Sequence, residues 1–323
     1  MKPQRFTTIS LLRVFLAAAT LWLTGACVFG ARDVGPPTGS RFPAMKLSDQ
    51  NGQVHTVRSL LGAKGAAILF YPPTEGCLHC SAQLAELEQH QEAFHKLGLG
   101  LAAITSDSVA TLKDFAARNS LHIPLLSGAD SKTAGWVVLD ARGMVVAKYA
   151  DEDPSQYYTS AALLMHQFGW SPADPPKEVK GKQLTAMIAS SNVKVAPGQR
   201  IALTLDVDLQ PNLHVYAPGV DDYIPIEWKM EDADLVVAHA PEFPQAEKLF
   251  LKAINETVPT YQNRFRLTRD ITIPSDDKLK PALDASGHFA IASSLRYQAC
   301  DDRMCYFPQT VHLQWTFEYQ AHQ

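Results

Sequence analysis

The sequence predicts an α/β domain followed by an all-β sandwich, on three observations. The chain has 323 residues, enough to bury two separate cores. A C-x-x-C, Cys77-Leu78-His79-Cys80, stands between a short apolar run, residues 66–71, and a helix-forming stretch, residues 81–97. Beyond Ser171-Pro172-Ala173-Asp174-Pro175-Pro176-Lys177 the hydrophobic pattern changes from helical to alternating.

Composition is that of a globular protein, 46% apolar and 19% charged, with a formal charge of -4. There is no basic surplus of the kind nucleic-acid binding uses, and a mildly acidic surface indicates solubility. Residues 1–26 read as an export signal. Lys2, Arg5 and Arg13 form a basic start, residues 14–23 are apolar but short for a membrane span, and Thr24-Gly25-Ala26 supply small residues. A retained N-terminal anchor is the alternative. Leu23-Thr24-Gly25-Ala26 before Cys27 resembles a bacterial lipobox with Thr24 in the usual place of Leu. Lipidation at Cys27 and simple cleavage nearby, for instance after Gly30, both stay open. Four further cysteines, Cys77, Cys80, Cys300 and Cys305, allow three pairings. Two close pairs, one in each half, favour Cys77–Cys80 and Cys300–Cys305, and short loops of this kind point to redox work rather than to structural staples.

In the first half, residues 42–47 and the turn Asp49-Gln50-Asn51-Gly52 read as strand and turn, and residues 66–71 as a buried strand. On the following helix Leu84, Leu87 and Phe94 share one face, with Glu86, Gln89 and Lys96 turned to water. Residues 99–105 form the parallel neighbour of the buried strand. Ser106-Asp107-Ser108 cap a helix over 109–119 with Leu112, Phe115 and Ala116 inward. Residues 124–126 are extended, 136–147 form a hairpin around Gly143, and 157–168 a closing helix. The C-x-x-C thus lies at a strand-to-helix turn. Free N–H groups and the helix dipole there favour a thiolate on Cys77, and Cys80, one turn on, can resolve a mixed disulfide. His79 between them adds a charge or donor that favours the same thiolate. Half of a zinc site, or an inert pair, is the plainer alternative; for His79 it is an exposed polar residue on the first helical turn.

Residues 41–169 resemble the redoxin branch, AhpC/TSA-like, of the thioredoxin superfamily. Phe42-Pro43-Ala44-Met45-Lys46-Leu47-Ser48-Asp49-Gln50-Asn51-Gly52, the cysteine turn with Ser81-Ala82-Gln83-Leu84, and Leu139-Asp140-Ala141-Arg142-Gly143 carry the resemblance. It implies a thioredoxin-like α/β fold. Two departures stand out. The proline that family places before the hairpin strand is replaced by Ala134-Gly135, with little room for the helix before it. Of the peroxidatic motif, Thr74 fits three residues before Cys77, but Phe70 occupies the proline position. Arg142 and Arg118 are candidates for the arginine that motif also requires.

In the second half Ile201, Leu203, Leu205, Val207 and Leu209 alternate with Ala202, Thr204, Asp206 and Asp208. Phe265, Leu267, Ile271 and Ile273 keep one parity, as do Val311, Leu313, Trp315, Phe317 and Tyr319, which predicts seven to nine antiparallel strands. Tyr297-Gln298-Ala299-Cys300 and Cys305-Tyr306-Phe307-Pro308 place the second pair at a hairpin. With Val195-Ala196-Pro197-Gly198 and Pro211-Asn212-Leu213-His214-Val215-Tyr216, this closely resembles the N-terminal periplasmic domain of DsbD, over roughly residues 178–320. That resemblance implies an immunoglobulin-like sandwich and a reactive pair under an aromatic cap. Phe250, in Glu247-Lys248-Leu249-Phe250, falls at the cap position, and Tyr216 is a supporting residue. Ordinary sandwich packing is the alternative for both. The residues after Cys305 are aromatic and proline rather than metal ligands, so no metal is expected.

The expected architecture is therefore an export signal over 1–26, a redoxin domain over 41–169, a linker over 170–177 and a sandwich over 178–320. The leading functional reading is an exported, periplasmic thiol–disulfide oxidoreductase without organic cofactor, passing electrons between Cys77/Cys80 and Cys300/Cys305. A short linker would hold the two pairs at local concentrations on the order of millimolar. Its outside partners would be thioredoxin-like redox proteins or a membrane electron transporter, not nucleic acid. A thiol peroxidase with Cys77 as attacking sulfur, and a non-catalytic redox-partner binding module, are the alternatives.

Overall fold

A computed structural model describes residues 34–321 apart from 76, 78, 129–133, 151–152, 154, 173, 221, 232–233 and 252–254. The expected export signal and Cys27 lie outside the described residues. Among the described residues no helix is long and apolar enough to cross a membrane.

The first half runs β1 (Lys46–Asp49), β2 (Val54–Thr56), α1 (Val57–Leu60), β3 (Gly65–Phe70), α2 (Cys80–Lys96), β4 (Leu99–Thr105), α3 (Val109–Asn119), β5 (Leu125–Ser127), β6 (Gly135–Asp140), β7 (Val145–Tyr149), β8 (Tyr157–Tyr158) and α4 (Ser160–Phe168). Hydrogen bonding orders the strands β2-β1-β5-β4 and β3-β6-β7. The two runs meet where the Tyr71 N–H donates to the Ile104 carbonyl at 3.0 Å, which sets β4 beside β3 as the pattern predicted. The layout is thioredoxin-like α/β. All six residues of β3 are buried, as befits a central strand covered on both faces. Leu84, Leu87 and Phe94 of α2 are buried together, and α3 turns Leu112, Phe115 and Ala116 inward behind a Ser108 N-cap.

Glu86 departs from the expected pattern. It does not face water: its carboxylate accepts from the N–H groups of Ser160 at 2.9 Å and Ala161 at 3.1 Å, and pairs with His90 at 3.4 Å. It thereby caps the N-terminus of α4, where free N–H groups and the helix dipole favour a negative charge. Burial alone would raise the Glu86 pKa, but His90 and the two N–H bonds hold it below its ordinary value. Burial would likewise lower that of His90, and Glu86 holds it above.

The second half runs β9 (Lys177–Lys180), β10 (Leu184–Ser190), β11 (Lys194–Val195), β12 (Gln199–Leu209), β13 (His214–Tyr216), β14 (Glu227–Met230), β15 (Val237–Ala238), β16 (Glu247–Leu251), β17 (Glu256–Gln262), β18 (Arg264–Thr272), β19 (His288–Tyr297), β20 (Ala299–Cys300) and β21 (Gln309–Tyr319). Three sheets result, ordered β15-β18-β12-β10-β9, β11-β21-β19-β14 and β16-β17-β13-β20. The strands outnumber the expected seven to nine because short segments such as β11, β15 and β20 pair beside the long ones. The inward parity holds: Ile201, Leu203, Leu205 and Val207 are buried with Phe265, Leu267, Leu313 and Phe317 in one core.

The other face of β12 is not left to solvent. Ala202 is buried in the core of the first half, with Leu163, Leu164 and Trp136. Tyr157 and Tyr158, expected to begin the closing helix, instead pair in parallel with Gln199 and Arg200 as β8. The Tyr157 N–H donates to the Gly198 carbonyl at 2.9 Å and the Thr159 N–H to that of Arg200 at 3.1 Å. These bonds draw the segment into the sheet, and Thr159 then caps α4 from Ser160 onward. The Arg200 guanidinium binds the Asp270 carboxylate at 3.0 Å, and the Tyr158 hydroxyl donates to the same group at 3.3 Å.

Because Glu86 and His90 are a buried pair, Glu86→Ala should lower unfolding stability by about 3 kcal/mol, measured by urea denaturation. The pair's pKa directions also fix a pH window. The Glu86 share is present above its unfolded pKa, near 4.5, and is lost as pH falls through its lowered folded value. The His90 share is present below its unfolded pKa, near 6.5, and is lost as pH rises through its raised folded value. Glu86→Gln should flatten the stability–pH profile on both sides.

Candidate active site

Cys77 and Cys80 form a disulfide, with Cα atoms 5.6 Å apart, between the end of β3 and the start of α2. The helix begins on Cys80 itself, one residue earlier than its pattern predicted, so Cys80 stands at the first helical position rather than a turn inside. Cys80 is 1% exposed and packed among Leu84, Tyr71 and Trp136, whereas Cys77 is half-buried. One sulfur is therefore enclosed and the other reachable. The turn is pinned from β4: the Asp107 carboxylate accepts from the Thr74 N–H at 2.8 Å, and the Cys77 N–H donates to the Thr74 carbonyl at 3.4 Å. Asp107, read from sequence as part of a helix cap, fixes this turn while Ser108 does the capping. Tyr71 lies behind, fully buried, its phenol pushed far up by burial and then by Asp107. His79 is the N-cap of α2 and makes no side-chain cap bond; its ring lies 5.6 Å from that of Tyr157.

Opposite the turn, Gly135 takes φ +152°, and a Cβ there would meet the Tyr149 carbonyl oxygen at 2.5 Å. Among the described residues neither candidate arginine makes a contact with Cys77. Arg142 pairs with Asp140 at the hairpin tip, and β6 runs from there to Gly135 opposite Phe70, about 17 Å along the strand. Arg118 lies in the last turn of α3, about 14 Å along that helix from its first residue, Val109.

Cys300 and Cys305 form the second disulfide across a turn whose Cα atoms are 4.0 Å apart. The Asp301 carboxylate shapes that turn by accepting from the N–H groups of Arg303 at 2.7 Å and Met304 at 2.8 Å, and these bonds hold its pKa low. Again one sulfur is enclosed and the other reachable: Cys300 is 1% exposed and Cys305 is exposed. The Tyr216 hydroxyl lies 3.8 Å from the Cys305 Sγ, and its ring stacks on Tyr223 at 4.3 Å. Tyr223 bonds Glu256, which pushes its phenol up to about 12. His214 is buried with Nε2 unpartnered; burial lowers its pKa, against the pull of Asp302 and Asp301. Phe250, on β16 and half-exposed, lines with Tyr216 and Tyr223 a cavity of about 330 Å³ over this disulfide.

The two disulfides sit apart. His79 lies near Gly198, just before β12, where an added Cβ would stand 3.7 Å from its Cε1, while Cys300 pairs with His214, beyond the Leu209 end. The eleven residues of β12 between them span about 33 Å. Asp107, Tyr157, His214 and Tyr223 were not identified as site residues in the sequence. The first two act across long separations that local pattern does not encode, and His214 lay within the resembling Pro211–Tyr216 segment without a reactive neighbour in sequence to mark it.

Residues 38–145 match the family model of the AhpC/TSA family, and residues 183–315 that of "Thiol:disulfide interchange protein DsbD, N-terminal". Among curated proteins, alkyl hydroperoxide reductase E of Mycobacterium bovis and of Mycobacterium tuberculosis are 32% identical over 89 residues, 28% of this chain. The match spans 58% of those relatives' length, less than two thirds. Among solved structures, peroxidoxin BcpB from Mycobacterium tuberculosis is 21% identical, covering 36% of this chain and 86% of that one at a TM-score of 0.32. Thiol peroxidase from Chromobacterium violaceum is 17% identical, covering 39% and 83% at 0.34. Together with the two disulfides, the family matches define a protein of the thiol–disulfide oxidoreductase and peroxiredoxin-like class. In particular, a region matching the AhpC/TSA family is followed in the same chain by a region matching the DsbD N-terminal domain.

With Cys77 reachable and Cys80 enclosed, iodoacetamide near neutral pH should label Cys77 of the reduced protein much faster than Cys80, read by peptide mass spectrometry. Equal labelling, or preference for Cys80, would contradict the enclosure.

Proposed function

We propose that this chain is an exported thiol–disulfide oxidoreductase that moves electrons by dithiol–disulfide exchange between Cys77/Cys80 and Cys300/Cys305. The observation that carries the reading is the shared asymmetry of the two pairs, each with one sulfur enclosed and one within reach of a partner. Such an arrangement separates an attacking or attacked sulfur from a resolving one. In one direction, the Cys77 thiolate attacks the Cys305 sulfur, forming a Cys77–Cys305 bond and releasing the Cys300 thiolate. Cys80 loses its proton and attacks the Cys77 sulfur, which releases the Cys305 thiolate. The Cys77/Cys80 pair is then a disulfide and Cys300/Cys305, once it has taken up two protons, a dithiol. The reverse sequence runs through the same mixed disulfide, and the two reduction potentials set the direction.

The placement of the pairs toward opposite ends of β12, a strand of about 33 Å, favours exchange between separate copies over exchange within one. Thioredoxin-like proteins or a membrane electron transporter would be outside partners, in keeping with the DsbD N-terminal match. The redox roles of Thr74, His79, Tyr216 and Phe250 belong to this proposal: Thr74 holds the first turn, His79 favours the Cys77 thiolate, and Tyr216 with Phe250 shields the second pair. An export signal over 1–26, with or without a lipid on Cys27, would place the chain in a compartment that permits disulfides.

The test uses two full-length variants with Cys27→Ser. One carries Cys300→Ser and Cys305→Ser and is reduced; the other carries Cys77→Ser and Cys80→Ser and is oxidised. On mixing, thiols should appear on Cys300 and Cys305 and vanish from Cys77 and Cys80, or the reverse with the starting states exchanged, at a rate proportional to concentration. Failure in both directions, while each pair still exchanges with dithiothreitol, would end the relay.

The AhpC/TSA match and the alkyl hydroperoxide reductase relatives favour a second reading, a thiol peroxidase. Phe70 in place of the motif proline, and the remote Arg118 and Arg142, weigh against it. Stopped-flow oxidation of the reduced protein by hydrogen peroxide should be as slow as for an unactivated thiol. A rate constant several orders of magnitude higher would favour the peroxidase.

A further inference from the structure

The first disulfide is not surrounded by redoxin residues alone. We infer that the sandwich half sets the redox equilibrium of Cys77/Cys80, by fixing His79 through Tyr157 and the Pro197–Gly198 turn; the inference rests on the reading of that pair as a working couple.

Three observations carry it. His79 is the residue between the two cysteines and the N-cap of α2, and its ring lies at 5.6 Å from that of Tyr157. Tyr157 is held by the sandwich rather than by its own half. Its N–H donates to the Gly198 carbonyl at 2.9 Å, it pairs with Gln199, and its hydroxyl accepts from the Gln199 Nε2 at 3.0 Å. Gln199 is itself oriented by the Ala196 N–H, which donates to its Oε1 at 2.9 Å. Finally, Gly198 closes the other side. Its φ is +79°, a Cβ there would stand 2.3 Å from the Ser155 carbonyl oxygen, and the next atom it would meet beyond Ser155 is the His79 Cε1 at 3.7 Å. Only glycine meets both the backbone angle and the approach.

The chemistry follows from charge. An imidazolium, or an imidazole N–H, near the Cys77 sulfur lowers the free energy of the thiolate and so of the reduced pair. How much depends on where the ring is held. Tyr157 and Gly198 restrict its position from outside the redoxin, so they are positioning residues acting through His79. Neither touches a reacting sulfur in the described contacts, and their effect on the couple should disappear when the imidazole does.

The test uses the full chain with Cys27→Ser, equilibrated in glutathione buffers. Acid quench, alkylation and peptide mass spectrometry then read each pair separately. His79→Ala should move Cys77/Cys80 toward the disulfide by roughly three- to tenfold in equilibrium constant. Tyr157→Leu should move it the same way by a smaller factor, with Cys300/Cys305 unchanged. Gln199→Met, which keeps the backbone pairing with Tyr157 but loses the side-chain bonds to the Tyr157 hydroxyl and the Ala196 N–H, should do so to a lesser extent and covers the case in which Tyr157→Leu does not fold. In a His79→Ala background, Tyr157→Leu and Gln199→Met should add nothing. Equal shifts with and without His79, or none in either variant, would overturn the inference and leave the oxidoreductase reading standing. If the unsubstituted Cys77/Cys80 pair does not equilibrate with glutathione at all, both fall.

Discussion

The strand Gln199–Leu209 is covered on both faces over its first half, as far as Thr204, and the arrangement of the molecule depends on that. On one side Ile201, Leu203, Leu205 and Val207 close the sandwich core; on the other Ala202 enters the core of the first half. A strand covered on one side only can keep polar residues on its outer positions. Here the outer position nearest the redoxin is alanine, small enough for α4 to lie against the sheet. The buried Arg200–Asp270 pair and the Tyr158 hydroxyl satisfy the polar groups this contact encloses. From this contact come the placement of α4, the Glu86 cap at its N-terminus, and the approach of the sandwich to His79.

Much of this was legible in the sequence wherever pattern is local. The buried faces of α2 and α3 follow from helical spacing, and the inward parity of the long strands from period two. Both cysteine pairs could be read from proximity, and their placement at a strand–helix turn and at a hairpin from the flanking runs. What could not be read lies where a residue's partner is far along the chain. Glu86 has the spacing of a solvent-facing residue, and only α4, some 74 residues later, makes it a cap. Tyr157 and Tyr158 continue a helical pattern, but strand pairing with Gln199 and Arg200 overrides it. Asp107 looks like a helix cap beside Ser108 until the Thr74 N–H is found 2.8 Å from it.

The two sites reach one chemical arrangement by different local means. At the first, a helix start encloses Cys80 and leaves Cys77 on the preceding turn. At the second, there is no helix: Cys300 is enclosed by pairing with β13, and an Asp301-centred turn carries Cys305 outward. The reachable sulfur of the first faces the dipole of α2, while that of the second faces a phenol, Tyr216, stacked on another. A helix terminus favours the thiolate, whereas a neighbouring phenol brings no fixed charge to the exposed Cys305 sulfur. The two disulfides thus have unlike electrostatic surroundings.

The strand shared by the two cores also bears on how such a chain could arise. A redoxin joined to a sandwich by a free tether could be exchanged for another redoxin with no change to its neighbour. Here a replacement would have to supply a small-residue helix shaped to Ala202, a two-residue segment able to pair with Gln199 and Arg200, and a hydroxyl aimed at Asp270. The two halves are therefore bound to change together, and a swap at the proline-rich segment alone would leave an exposed apolar sheet face on one side and an uncovered helix on the other.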